Sequence, residues 1–400
     1  MDYIVENRQT KIIGSCDVLV AGGGIAGIAA ALSAARAGAQ VTLVQREFLL
    51  GGLATSGLVT IYLPLDDGMG RQVSYGIAEE LLRLSIAHGE ENAERRHPTA
   101  WLDGGTLQER RDGRRFETQY NPYLFAIECE QLLARSGVKL LYGTTVCDVH
   151  KTGDRIDAVI LENKSGRSAM AVHSVVDCTG DADVCLYAGA PTETFHQGNV
   201  LAAWYYFLSQ GEREGQLRML GCSDIPDEEK KKSGAPPTLV NRRFAGLDAQ
   251  EISDMMQLSH AQLFADVLKH RAENPDYTLT TIASIPQLRM TRRIVGEFTL
   301  DTAHDHAEFE TGIGAIGNWR KRGPAYSIPF ECLYSRRVPN LITAGRVISV
   351  TEPMWDITRV IPACAVTGEA AGAAAAMTDD FAALDVKALR AYLQGKGVRL

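Results

Sequence analysis

No stretch of the sequence reaches roughly 18 apolar residues without a charge, so no membrane-spanning helix is expected. The opening residues lack the basic start and apolar run of a signal peptide, and a cytoplasmic location is the default expectation. The eight cysteines, at 16, 129, 147, 178, 185, 222, 332 and 364, form no CxxC pair. An iron–sulfur site or dithiol redox pair therefore has no support, and most of these thiols read as core-filling side chains. Excess positive charge is absent: acidic residues outnumber basic ones 49 to 41, and the net charge of −8 at pH 7 argues against a general nucleic-acid surface. The run His304-Asp305-His306 lacks a third ligand, so no metal site is expected.

What the chain does have is glycine, 38 residues in 400, well above the usual ~7%. Much of it sits in short clusters, where backbone needs unusual dihedrals or close approach to a ligand. The length is enough for a large core and for about two to four domains.

Residues 16–21 read as an apolar strand bounded by glycine, followed by an alanine-rich helix to about Ala37 and a second parallel strand at 41–44. Helices are expected over residues 74–88 and 124–136, with a strand at 138–142. Strands at 146–150, 158–162 and 169–177, separated by Gly153 and Gly166 turns, indicate an antiparallel meander. The fold class is α/β: a Rossmann-type nucleotide-binding domain in discontinuous segments 1–60, 123–190 and 290–400, with an α+β substrate or cap domain at 191–289. The polar segment 61–122 is expected to be an excursion around the substrate region. The cap holds an aromatic patch at 204–207, a charged segment ending in Lys230-Lys231-Lys232, and a helix over about 249–271.

Gly22, Gly24 and Gly27 form a G-x-G-x-x-G pattern between a strand and a helix, so Gly22, Gly24, Ile25, Ala26 and Gly27 are candidate dinucleotide-binding residues. The first glycine permits the tight turn, the second lets backbone approach a pyrophosphate, and the third allows close helix–strand packing. At the end of the second strand, where an acidic ribose ligand is usual, stands Gln45. Either its amide bonds the ribose or Glu47 reaches round; Arg46 either stacks on adenine or, like Glu47, is a solvated loop residue. In Asp-Cys-Thr-Gly-Asp-Ala-Asp at 177–183, Thr179, Gly180 and Asp181 are candidates for the cofactor. Asp181 would bond a hydroxyl or cap the helix beginning nearby. Val146, heading the first meander strand, joins the candidate set. A third segment carries Gly345 and Arg346 after a strand, then Arg359, Val360, Ile361 and Ala363 at the start of a helix of very small residues. Free N–H groups there would favour negative charge developing on a reduced isoalloxazine.

With these motifs in order along residues 15–378, the chain resembles the FAD-dependent oxidoreductase family related to the fumarate reductase and glutathione reductase flavoproteins. The family's motifs match Val-Ala-Gly-Gly-Gly-Ile-Ala-Gly at 20–27, Asp-Cys-Thr-Gly-Asp-Ala-Asp at 177–183 and Thr-Arg-Arg-Ile-Val-Gly-Glu at 291–297. They also match Ile-Pro-Phe at 328–330, Asn-Leu-Ile-Thr-Ala-Gly-Arg-Val-Ile-Ser at 340–349 and the Arg-Val-x-Pro segment at 359–372. The resemblance implies FAD, and it implies that Gly51, Gly52, Leu53, Ala54 and Thr55 pass near the ribityl chain and flavin. Gln45 departs from the family's glutamate, and no histidine follows Ser349.

The expected activity is that of an FAD-dependent dehydrogenase or reductase acting on a small organic, perhaps carboxylated, substrate by hydride transfer. The alternatives are a flavin monooxygenase and a non-catalytic or electron-transfer flavoprotein subunit. Arg359 is the candidate anion clamp, set against an Arg that holds FAD or pairs structurally. Glu352 and Asp356 are candidate proton carriers if burial raises their pKa values. Arg292 is a weaker candidate, with pairing of Arg292 and Arg293 to Glu297 as the structural alternative. The partners expected are a small-molecule substrate and an unidentified electron donor or acceptor, with NAD(P)H as a transient reductant; a homo-oligomer stays open.

Overall fold

The computed structural model describes residues 4–88, 98–209, 215–221 and 238–400. The Lys230-Lys231-Lys232 segment and Cys222 lie outside the described residues. Strand β1 (Ile12–Ala21) leads through the glycine turn into helix α1 (Ile25–Arg36) and back as β2 (Val41–Val44), parallel to β1. Residues 18–21 and 41–44 are buried throughout, as in strands covered on both faces. Helix α1 is buried from Ile25 to Ala34, so it behaves as a central helix and not a surface one.

Helix α2 (Ile77–Ser85) buries Ile77, Ala78, Leu81 and Leu82. Helix α3 (Pro122–Arg135) starts where its sequence says it should: Asn121 Oδ1 accepts from the N–H groups of Tyr123 and Leu124, and proline opens the first turn. It leads to β3 (Lys139–Leu141), parallel to β2. The meander follows as β4 (Thr145–Thr152), β5 (Arg155–Asn163) and β6 (Gly166–Asp177). Gly153 and Gly166, with φ of 62° and 93°, sit in the tight connections expected for them. After β6 comes the short helix α4 (Asp183–Ala188).

The cap region holds β7 (Tyr205–Leu208) between β8 (Gln216–Arg218) and, beyond helix α5 (Ala249–Glu273), β9 (Thr278–Ile282). Leu263 and Val267 of α5 pack with Tyr205 and Tyr277 under this small antiparallel sheet. The chain then returns to the main sheet as β10 (Leu341–Thr343), followed by α6 (Glu352–Thr358) and α7 (Ile361–Met377).

The main sheet runs β3-β2-β1-β6-β5-β4, with β10 also on β6. Strand β6 serves both halves of it. Its early residues pair antiparallel with β5, while residues 175–177 pair parallel with β10, and β1 lies parallel along its other edge. One strand therefore joins the meander to the nucleotide-binding layer.

Helix α7 packs directly on α1. A Cβ at Gly368 would lie 2.3 Å from Ala26 O, and one at Gly372 would lie 2.1 Å from Ala30 O, so only glycine permits this approach. The run of alanines between them is thus a packing requirement. No single helix among the described residues is long and apolar enough to cross a membrane. Helices α6 and α7 pass that test only as a pair bent by 88°, and α7 is buried in this core.

Glu369 is the one charged residue of α7. It is buried, and its Oε2 accepts the Ile77 N–H at 2.8 Å, supplying the first turn of α2 with an acceptor that Gly76 cannot provide. Burial pushes Glu369 up to about 7, with the Glu80 carboxylate adding to the rise and the Ile77 N–H and Arg36 opposing it. The folded protein therefore keeps a proton that the unfolded chain gives up near the ordinary glutamate value, and stability falls as pH rises across that interval. In Glu369→Gln this loss is expected to disappear, leaving the variant more stable than wild type at pH 8 by roughly 2–3 kcal/mol and little changed at pH 4. Urea unfolding of both proteins from pH 4 to 8 checks this; parallel profiles would refute it.

Candidate functional site

A cavity of about 500 Å³ runs from the glycine turn to the cap region. At one end, Gly22 has φ +104°, and a Cβ there would lie 2.5 Å from Cys178 O. Gly27 lets α1 begin against the turn: its Cβ would sit 1.8 Å from Gly22 O. Gly24 and Ile25 line the cavity at the start of α1, where no side chain caps the helix. The free N–H groups and helix dipole make this an anion-binding end.

Gln45 lines the cavity at the position suggested for the ribose contact, and its amide also makes two bonds within the protein. Its Oε1 accepts the Gly23 N–H at 2.9 Å, and its Nε2 donates to Leu49 O at 3.2 Å. A carboxylate could make the first bond but not donate the second, so the amide braces the turn against the next loop. Gly51 N–H adds a bond to Gly23 O at 2.8 Å, and Gly51, Gly52, Leu53 and Ala54 form cavity wall. Thr55 is fully buried behind them, its hydroxyl donating to Leu50 O. Arg46 and Glu47 stand at the wall with half-exposed or more exposed side chains, 3.7 Å apart. Val146 lines this end with Thr144 and Thr145.

Thr179, Gly180 and Asp181 also line the cavity. Asp181 does not cap α4, whose N-cap is Ala182. Instead it accepts from Arg346 at 3.0 Å and from the Thr291 hydroxyl at 2.7 Å, while Arg346 Nε donates to Gly180 O at 2.6 Å. The expected pairing of Arg292 and Arg293 with Glu297 is likewise replaced. Arg292 reaches Asp183 at 2.8 Å and Arg293 pairs with Glu193, because their short strand lies against residues 192–194. Glu297 instead faces Arg336. Burial, with Asp181 and Asp177 adding to it, raises Asp183 to about 6 although Arg292 opposes the rise.

The far wall is the junction of α6 and α7. Val360, Ile361 and Cys364 line the cavity, and α7 starts there without a side-chain cap. Ala26, Gly27, Gly345 and Ala363 are not on the cavity surface; they set the close packing behind it. Burial raises the Cys178 thiol and pushes the Cys364 thiol up to about 12, so neither supplies a thiolate near neutral pH.

The expected loop between Glu352 and Arg359 is helix α6, and this changes the proton-carrier assignments. Asp356 accepts from Arg359 at 2.6 Å and from both Nε and Nη2 of Arg320. Burial alone would raise this carboxyl, but Arg359 and Arg320 outweigh it and hold Asp356 below its ordinary value. It stays charged as the partner of two guanidiniums, which is not the behaviour of a proton carrier near neutral pH. Glu352 lies off the cavity and accepts the His196 N–H at 2.6 Å. Among the four residues expected to act on substrate, Arg359 alone is in the wall; Glu352, Asp356 and Arg292 are not.

Several wall residues carried no local signal: Met219, Ile285, Pro286, Trp319 and Arg320. Trp204 stood in a visible aromatic patch, but nothing in the patch distinguished it from Tyr205, Tyr206 and Phe207.

This arrangement fits a flavin dinucleotide. Backbone leaves no room for a side chain at Gly22 and Gly27, the α1 N-terminus offers backbone donors, and the small-residue α7 presents a second uncapped N-terminus to the same space. The turn at 22–25 would hold the pyrophosphate, and the 51–54 loop with the α7 start would flank the flavin. Gly24→Ala meets no protein atom within 4 Å, so its apoprotein is expected to keep wild-type Tm. Its affinity for FAD, titrated by visible difference absorbance, should fall by about tenfold or more as the methyl enters space above the turn. Gly27→Ala should instead lower Tm steeply, since its methyl has no room. Unchanged FAD affinity in Gly24→Ala would refute this placement of the pyrophosphate.

The chain is similar to several known proteins. Thioredoxin reductase of Ureaplasma parvum serovar 3 is 34% identical over 71 residues, which is 18% of this chain and 23% of that protein; the match thus spans under a quarter of that relative. THI4 of Thermovibrio ammonificans is similar at 18% identity over 43% of this chain and 61% of the other, with TM-score 0.31. A geranylgeranyl bacteriochlorophyll reductase-like protein of Thermoplasma acidophilum shares 12% identity over 96% of this chain and 83% of its own, with TM-score 0.46. The family described as FAD dependent oxidoreductase matches residues 17–201 and 197–393, nearly the whole chain. The chain belongs to that family of FAD dependent oxidoreductases, and its cofactor is FAD.

Proposed function

We propose that this protein is a dehydrogenase or reductase that exchanges a hydride between FAD and a small carboxylated substrate. The observation that carries the reading is the Arg320-Asp356-Arg359 cluster, in which two guanidiniums share one carboxylate beside an otherwise largely apolar cavity lobe. Taken by itself this cluster retains one positive charge, and Arg320 and Arg359 both belong to the wall. A guanidinium binds a carboxylate with two parallel N–H donors, and weak solvation makes such a contact count for more.

Bound FAD supplies the hydride acceptor or donor. The chain's part is to bind, orient and exclude water. Asp356 holds Arg359 in place, and the Arg320 guanidinium stacks at 4.1 Å on the Trp319 ring, whose Nε1 donates to Asp356 O. The uncapped start of α7 favours negative charge at its end of the cavity. A second electron carrier, with NAD(P)H among the candidates, completes the cycle.

The test is an anaerobic bleaching screen of the oxidised holoenzyme with small hydroxy and amino carboxylates and their amides, and of the reduced holoenzyme with unsaturated ones. Carboxylates that change the flavin spectrum should do so with KM raised by about ten- to hundredfold in Arg359→Gln, while the amides respond equally in both proteins. A flavin that no carboxylate reduces or reoxidises, with NAD(P)H oxidation instead coupled to oxygen uptake and hydroxylation, would replace this reading by a monooxygenase.

A further inference from the structure

Trp319 and Arg320 sit at the tip of a β-hairpin whose strands are Gly312–Gly317 and Ala325–Pro329. Inside the tip, the Asn318 N–H donates to Pro324 O at 2.9 Å. Asn318 Oδ1 accepts the N–H groups of Arg320 and Lys321 at 2.9 and 3.0 Å. These bonds shape the turn, but none of them reaches α6.

The tip is held from outside, by a residue of the 61–122 excursion. Arg115 Nη1 donates to Asn318 O at 3.0 Å and to Trp319 O at 3.3 Å. On the other side of the same guanidinium, Nε donates to Asp66 Oδ1 at 3.1 Å and Nη2 donates to Asp66 O. Asp66 is 1% exposed and is itself fixed, its Oδ2 accepting the Phe116 N–H at 2.7 Å. A Cβ at Gly317 would lie 2.3 Å from Asp66 O, so the end of the hairpin strand rests on the same backbone. A planar guanidinium with donors on three nitrogens bridges a carboxylate and two carbonyls at once; a single ammonium cannot.

The bridged tip brings two contacts to Asp356. Trp319 Nε1 donates to Asp356 O at 3.0 Å, and Arg320 pairs with the Asp356 carboxylate. Without Arg320 the cluster would be Arg359 and Asp356 alone, and its charges would cancel. The attraction of this wall for an anion therefore depends on the tip standing where Arg115 holds it.

We infer that Arg115 is a positioning residue for the anion clamp. It acts through Asn318 O and Trp319 O and does not itself line the cavity. This rests on the proposed carboxylate reading and adds which part of the chain sets the charge of that site.

The test uses holoenzyme and the variant Arg115→Lys, which keeps a cation beside Asp66 and lacks the fork. Hydrogen exchange read by mass spectrometry should quicken about tenfold or more at the amides of 318–321, with β1 and α1 unchanged. Benzoate and its neutral counterpart benzamide are then titrated calorimetrically. Wild type should favour benzoate by about tenfold or more, and Arg115→Lys by about threefold or less, with affinity for benzamide and FAD unchanged. If Arg115→Lys does not fold, Arg115→Ala is compared with and without low-millimolar ethylguanidinium, which should restore both slow exchange and the benzoate preference. Unchanged exchange at the tip would overturn the inference, and so would faster exchange spread over the whole protein. A benzoate preference that survives a loosened tip would also overturn it. Wild type that binds benzoate no better than benzamide, or binds neither, sinks the carboxylate reading instead, and exchange at the tip still decides whether Arg115 holds it.

Discussion

The close approach of two helices at backbone distance governs the cofactor end of this molecule. Helix α1 starts against its own glycine turn because Gly27 has no side chain, and α7 lies on α1 because Gly368 and Gly372 have none. Any larger residue at these points would separate the helices and move the starts of both. Those two starts are the anion-favouring parts of the cavity, one at the turn and one opposite the 51–54 loop. Packing and cavity geometry are therefore one constraint: the small residues that let the helices touch also set the distance between the two helix starts that line the cavity.

Polar side chains then tie separate segments to that frame. Gln45 links the glycine turn to Leu49, Asp181 gathers Arg346 and Thr291, and Glu369 connects α7 to the start of α2. Each is largely buried and each uses its oxygen or nitrogen on a partner distant in sequence or across a turn. Gln45 and Asp181 make these contacts while also lining the cavity. A residue beside a cofactor is as often holding the wall as touching what lies within it, and the same amide or carboxylate serves either end.

The cap contributes the other half of the cavity. Its small sheet, its long helix and the segment 285–289 bring Trp204, Leu288 and Arg289 opposite the α6–α7 junction, where Arg320 and Arg359 share Asp356. Arginine thus stands on both sides, Arg320 and Arg359 at one and Arg289 among the apolar side chains of the other.

The sequence by itself determined the βαβ unit, the meander and the reading of the glycine turn, because these depend on local periodicity and on backbone conformations that few residues besides glycine adopt. Helix α7 was legible for the same reason: a run of alanine and glycine has no other use than close packing. Only the tertiary structure decided which charged residues meet. Arg292 finds Asp183 and not Glu297, Asp356 is claimed by two arginines, and Glu352 faces His196. The cap wall was equally hidden, since Met219 and Ile285 carry no mark of their shared surface. Local pattern fixes backbone geometry over a few residues, whereas the pairing of side chains and the lining of a cavity follow from how distant segments pack.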